Sequence, residues 1–154
     1  MKKTTFPLSR VAEIKISYSP KFKACERAKV CTSQEVYHVL MQNWDQGLLQ
    51  LQEQFKIILL NRNNAVLGIC EVSRGGMSDC LVDVKLIFSV ALKAGASGIV
   101  LSHNHPSGNL KASAADLQLT KKICEGGKLL DISVFDHLII SGDGYLSLAD
   151  EALM

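Results

Sequence analysis

Proline is scarce in this chain: three in 154 residues, at positions 7, 20 and 106, with no proline-rich linker anywhere. The eleven glycines form no repeat, so collagen-like and low-complexity architectures are excluded. No run of eighteen apolar residues occurs, and no membrane-spanning helix is expected. The start, Met1-Lys2-Lys3-Thr4-Thr5-Phe6-Pro7, has lysines but no apolar stretch behind them, unlike a secretory signal. Cysteines number five, an odd count, and no Cys-x-x-Cys pair exists. That usage fits reduced thiols in a cytoplasm. Cys70 and Cys124 sit in apolar patterns as small core residues, whereas Cys25 and Cys31 flank a basic stretch with no base beside them.

What is present is an ordinary globular composition, 47% hydrophobic and 21% charged, enough for one domain with its own core. The net charge of +2 hides an asymmetry. Residues 1–31 hold eight Lys/Arg against Glu13 and Glu26, and the remainder is mildly acidic. A basic arm of this kind can meet nucleic acid or an acidic partner. It can equally be a solvated strand and loop, because lysines blunt sheet edges. Tyr18 and Phe22 are too few to build a base-stacking platform. The chain therefore divides into a basic strand and loop over 1–31 and a domain over 32–154.

Hydrophobic periodicity supplies the elements. Val11 to Ser17 alternates as a half-exposed strand, and 19–31 reads as a polar loop. Thr32-Ser33-Gln34-Glu35 opens a helix with a capping box, and Gly47 is expected to close it. Phe55–Leu60 and Ala65–Val72 form a hairpin around Asn61-Arg62-Asn63-Asn64. Ser73 to Ser78 reads as a loop. A second helix runs from about Val82 to Leu92, with Gly95 as its left-handed cap. Gly98–Leu101 is a short apolar strand, Ser113 opens a third helix ending near Gly126, and His137–Ser141 with Tyr145–Leu148 makes a second hairpin. This mixture predicts an α/β (α+β) domain, a mixed β-sheet flanked by helices.

The segment richest in chemistry is Leu101-Ser102-His103-Asn104-His105-Pro106-Ser107-Gly108-Asn109, followed by Ser113-Ala114-Ala115-Asp116. Residues two apart in a strand share a face, so His103 and His105 can converge on one point. Asp116 stands three residues into the next helix. Two imidazoles and a carboxylate are a familiar catalytic zinc set with one position left open. Ser113 and Asp116 are equally a plain helix start, a hydroxyl cap with an acid in the first turn. Water activated by such a metal needs a base. Glu53 is one candidate, an acid leading into an apolar strand, and Glu71, Asp79, Asp83 and Asp136 are its rivals. Asp136 and His137 read either as a pair orienting a ligand or as a polar step at the mouth of a core strand. His38 is expected in solvent, with Ser107 and Asn109 shaping the loop.

The spacing His103-x-His105, seven residues, Ser113-x-x-Asp116 resembles the JAMM motif of MPN/JAB-type metalloproteins. The string His103-Asn104-His105-Pro106-Ser107-Gly108 is similar to the RadC branch, as are Glu53-x-Phe55, Gly75-Gly76, Ile87-Phe88, Leu117-x-Leu119-Thr120 and Asp136–Ile140. The likeness covers about residue 32 onward. It implies a cytidine-deaminase-like JAB/MPN architecture, with His103, His105 and Asp116 as Zn2+ ligands. It further implies Glu53 as the acid that activates water and Ser113 as a hydroxyl for the developing oxyanion. The implied reaction is hydrolysis of a peptide or isopeptide bond in a protein or peptide substrate. Two other classes stand beside it: a DNA-repair-associated protein binding DNA or a repair partner, and a non-catalytic MPN scaffold. Two departures from the RadC pattern are visible. Residues 1–50 contain no glycine-bearing helix-hairpin-helix, and Lys111-Ala112 replaces a Thr-Pro or Lys-Pro.

Overall fold

The computed structural model describes residues 23–76 and 80–154. The strand expected over Val11–Ser17 lies outside them. Among the described residues the order is α1 (Ser33–Gln42), β1 (Gln54–Leu60), β2 (Val66–Arg74), α2 (Val84–Ala94), β3 (Gly98–Asn104), α3 (Ala114–Leu129), β4 (Ser133–Ser141) and β5 (Gly144–Ser147). The strands form one mixed sheet in the order β2-β1-β3-β4-β5. Only β3 and β4 run parallel, and α3 is the crossover between them. The expected α+β class is the observed one.

The sheet is buried on both faces. Phe55, Ile57 and Leu59 of β1 and Ile99 and Leu101 of β3 pack with Ile87, Phe88 and Ala91 of α2 and Ile123 of α3. The alternate residues Ile58, Leu60, Val100, Leu138 and Ile140 pack with Val36 and Leu40 of α1 and with Trp44. Two covered faces explain why β1 and β3 read as continuous apolar runs instead of alternating. β3 lies between β1 and β4 and continues three residues past the apolar stretch, through buried Ser102, His103 and Asn104.

Helix boundaries follow their caps with two exceptions. Thr32 caps α1 through Glu35, and Gly95 closes α2 at φ +63°. However, α1 ends at Gln42 and not at Gly47: the Asn43 side chain donates to the Val39 carbonyl at 2.8 Å and turns the chain. α3 likewise runs past Gly126 to Leu129. Both its glycines are points of close approach. A Cβ on Gly126 would fall 2.7 Å from the Phe88 ring, and one on Gly127 only 2.4 Å from the Ile132 carbonyl oxygen.

No disulfide forms among the described cysteines. Cys70 packs against the core, whereas Cys124 is half-buried and belongs to neither core cluster. Among the described residues no helix is long and apolar enough to cross a membrane.

The Gly127 contact gives a direct test. G127A should lower stability by about 1–3 kcal/mol through overpacking against backbone. G68A, whose added Cβ meets nothing within 4 Å, should change it by about 0.5 kcal/mol or less. Urea unfolding of both variants measures the difference.

Candidate metal centre

The site is built where β3 ends and α3 begins. His103 pairs across the sheet with Phe55, and their rings lie nearly parallel, 6.1 Å between centroids. His105 follows the strand by one residue. Its backbone N–H donates to the Ile140 carbonyl at 2.9 Å, which continues the alignment with β4. The two imidazoles consequently share a face, and their Nε2 atoms are 2.9 Å apart.

Asp116 arrives from the other side, in the first turn of α3. Ser113 caps that helix: its Oγ accepts the Asp116 N–H at 3.1 Å, and Asp116 Oδ2 accepts the Ser113 N–H at 2.7 Å. The Ser113 hydroxyl also donates to Oδ2, at 2.6 Å. With Oδ2 fixed by the cap, Oδ1 faces His103 Nε2 at 3.2 Å, and Oδ2 itself lies 3.8 Å from His105 Nε2. The capping box and the ligand set are therefore one structure. Among the described residues His103, His105 and Asp116 form a metal-competent group, with one ligand atom from each within 4.8 Å of the others.

The donor chemistry fits a metal ion. His105 Nδ1 is 2.6 Å from the Asn109 carbonyl, which can only accept, so the ring carries its proton there and leaves a lone pair on Nε2. His103 Nδ1 faces His137 Nε2 at 2.8 Å, inside the protein. Two imidazole nitrogens and a carboxylate oxygen at contact distance need a positive centre among them, a shared proton or a metal cation. Burial pushes the Asp116 carboxyl upward, but the His103 contact and the Ser113 hydrogen bonds outweigh it and hold the group well below the usual carboxylate range. His137 is driven well below the ordinary imidazole value, first by complete burial and then by His103.

Glu53 precedes β1 at the same end of the sheet. It lines one cleft of about 510 Å³ with His105, Ser113, Asp116, Leu119 and Cys80. Its backbone is held on both sides: Glu53 N–H donates to the Gly76 carbonyl at 3.0 Å, and Gly75 N–H donates to the Glu53 carbonyl at 2.8 Å.

The rival acids are placed elsewhere or lie undescribed. Glu71 is tied to Arg74 and Lys56, and Lys56 covers Trp44 on the α1 face. Asp83 caps α2. Asp79 is outside the described residues. Buried Asp136 points to the α1 face, accepting from Ser147 Oγ at 2.6 Å and from the backbone N–H of His137 and Ala149. The two readings of Asp136 and His137 thus separate. His137 touches a proposed ligand, and Asp136 ties down the segment after β5.

Two residues with site contacts stood in the RadC-like strings with no role assigned to them. Thr120 Oγ1 lies 2.6 Å from His137 Nδ1 and 2.6 Å from the Asp116 carbonyl, one helical turn above Asp116. Asn104, between the two histidines, faces the opposite way. Its side chain accepts the Gln54 N–H at 2.7 Å and donates to the carbonyls of Leu49 and Gln52 at 2.7 and 2.9 Å, so it grips the chain on either side of Glu53.

A family model described as the RadC-like JAB domain matches residues 30–153. The chain belongs to the RadC-like JAB domain family. Similar relatives are named UPF0758 proteins. The one from Flavobacterium johnsoniae is 46% identical over 101 residues, covering 66% of this chain and 44% of its own length. That from Porphyromonas gingivalis is 43% identical over 104 residues, 67% of this chain and 46% of its own. A third, from Desulfitobacterium hafniense, is 33% identical over 128 residues, 83% of this chain and 55% of its own. This RadC-like chain spans about half the length of the curated relatives it matches.

The Asp116 environment predicts an acid sensitivity. Its folded-state carboxyl titrates below that of the unfolded chain, which is near 3.9, so the unfolded chain takes up the proton first. The stability from this contact is complete above about pH 5 and is lost as the pH falls below that. D116N should therefore unfold with a shallower pH dependence in that range, measured by thermal denaturation at stepped pH.

Proposed function

We propose that this RadC-like JAB domain is a zinc-dependent hydrolase of the JAMM type that cleaves a peptide or isopeptide bond. The observation that carries the proposal is the meeting of His103 Nε2, His105 Nε2 and the Asp116 carboxylate at contact distance, at a cleft that Glu53 also lines. His103, His105 and Asp116 would hold the ion. Bound there, zinc supplies Lewis-acid polarisation of a carbonyl and a lowered pKa for water.

The remaining work falls to side chains. Glu53 takes the proton of the attacking water and returns it to the leaving amine, acting as base and then as acid. Its support is its place in the cleft and the backbone clamp from Gly75, Gly76 and Asn104. Ser113 holds Asp116 through its hydroxyl proton. It donates to an oxyanion only once that proton leaves Oδ2. The cleft walls that select the substrate come from Pro106, Ser107, Asn109 and Lys111 on one side and Cys80 on the other.

Two measurements test the proposal. H103A and D116A should lower zinc affinity by at least about a hundredfold, more than the loss of an outer hydrogen-bond partner does. Equal zinc content in wild type and both variants would remove the site. E53Q should keep its zinc yet lose about 10²- to 10⁴-fold in turnover on a panel of peptides and isopeptide-linked conjugates. Wild-type turnover that E53Q matches would remove Glu53 from the mechanism.

A further inference from the structure

The contacts behind His103 form a closed circuit that begins and ends on Asp116. Thr120 Oγ1 is 2.6 Å from the Asp116 backbone carbonyl and 2.6 Å from His137 Nδ1. His137 Nε2 is 2.8 Å from His103 Nδ1, and His103 Nε2 faces Asp116 Oδ1 at 3.2 Å. His137 is wholly buried, as Thr120 nearly is, so no solvent interrupts the chain.

One direction of donation satisfies Thr120, His137 and Nδ1 of His103. The Asp116 carbonyl can only accept, so the Thr120 hydroxyl donates to it. The Thr120 oxygen is then free to accept, and His137 Nδ1 carries the proton that fills it. A neutral imidazole holds one proton, so His137 Nε2 presents a lone pair and accepts from His103 Nδ1–H. His103 is left with its Nε2 lone pair toward His105 and Asp116, the form that ligates a metal. Reversing the direction would set the Thr120 oxygen against a carbonyl oxygen at 2.6 Å with no proton between them, an unpaired contact that is costly in a buried site.

We propose that Thr120 and His137 are positioning residues that fix the tautomer of His103, with the carbonyl of one metal ligand setting the lone pair of another through the Thr120–His137 relay. The inference rests on the metal-site reading above. It gives a role to two polar side chains buried between α3 and β4. Hydrogen-bonded outer partners of this kind are worth about 10- to 100-fold in metal affinity.

The test uses zinc alone as the probe, on the full chain. In metal-free wild type, a long-range 1H–15N spectrum should show His137 with its proton on Nδ1 and none on Nε2. T120V keeps the shape of the side chain but removes the hydroxyl. It should move that proton to Nε2 and weaken zinc binding, measured by chelator competition, by tenfold or more. T120S restores the hydroxyl and should restore both. The proposal is overturned by a wild-type His137 protonated on Nε2, by a T120V loss smaller than tenfold, or by a loss that serine does not reverse. If wild type takes up no zinc, the proposed hydrolase falls, and the position of the His137 proton still decides the relay.

Discussion

Three electron-rich atoms forced into contact organise this molecule. Nε2 of His103, Nε2 of His105 and the carboxylate of Asp116 stand closer than mutual repulsion favours without a proton or a metal cation among them. The rest of the fold supplies the force that keeps them there. The sheet aligns residues 103 and 105 on one face through hydrogen bonds from both β1 and β4. The capping box of α3 fixes Asp116, the third member of the candidate set. Each contact is also an ordinary stabilising device, a strand register or a helix cap, so the site adds little local irregularity.

The same strand end performs a second task. Asn104 points away from the ligands and holds the peptide groups on both sides of Glu53. One tripeptide, His103-Asn104-His105, therefore sets the paired imidazoles on one face of the sheet and the backbone of Glu53 from the other. Relative motion between Glu53 and the ligands would have to break buried hydrogen bonds to a fully buried side chain. This coupling suits the proposed hydrolysis, in which a carboxylate and a metal would act on one water molecule.

Much of this was readable beforehand because the decisive signals are local. Strand periodicity put His103 and His105 together, and Ser113 with Asp116 announced a helix start that also brings Asp116 to the paired imidazoles. The misreadings also have physical causes. Gly126 looked like a helix terminator, yet it and Gly127 are small because Phe88 and the Ile132 carbonyl press against the helix. Gly47 was passed over as a cap because Asn43 turns the chain earlier. Sequence alone could not choose between two roles for Asp136 and His137, since adjacent residues of a strand face opposite ways and only the covering elements decide which face matters. Thr120 and Asn104 stood in the RadC-like strings without a readable role, because those roles depend on partners 17 to 55 positions away.

X-ray absorption at the zinc edge tests the central claim most directly. The account predicts one zinc per chain in a shell of nitrogen and oxygen donors at about 2.0–2.2 Å, with the multiple scattering of two imidazoles and no sulfur near 2.3 Å. A thiolate in that shell, or zinc bound without the paired imidazoles, would contradict it.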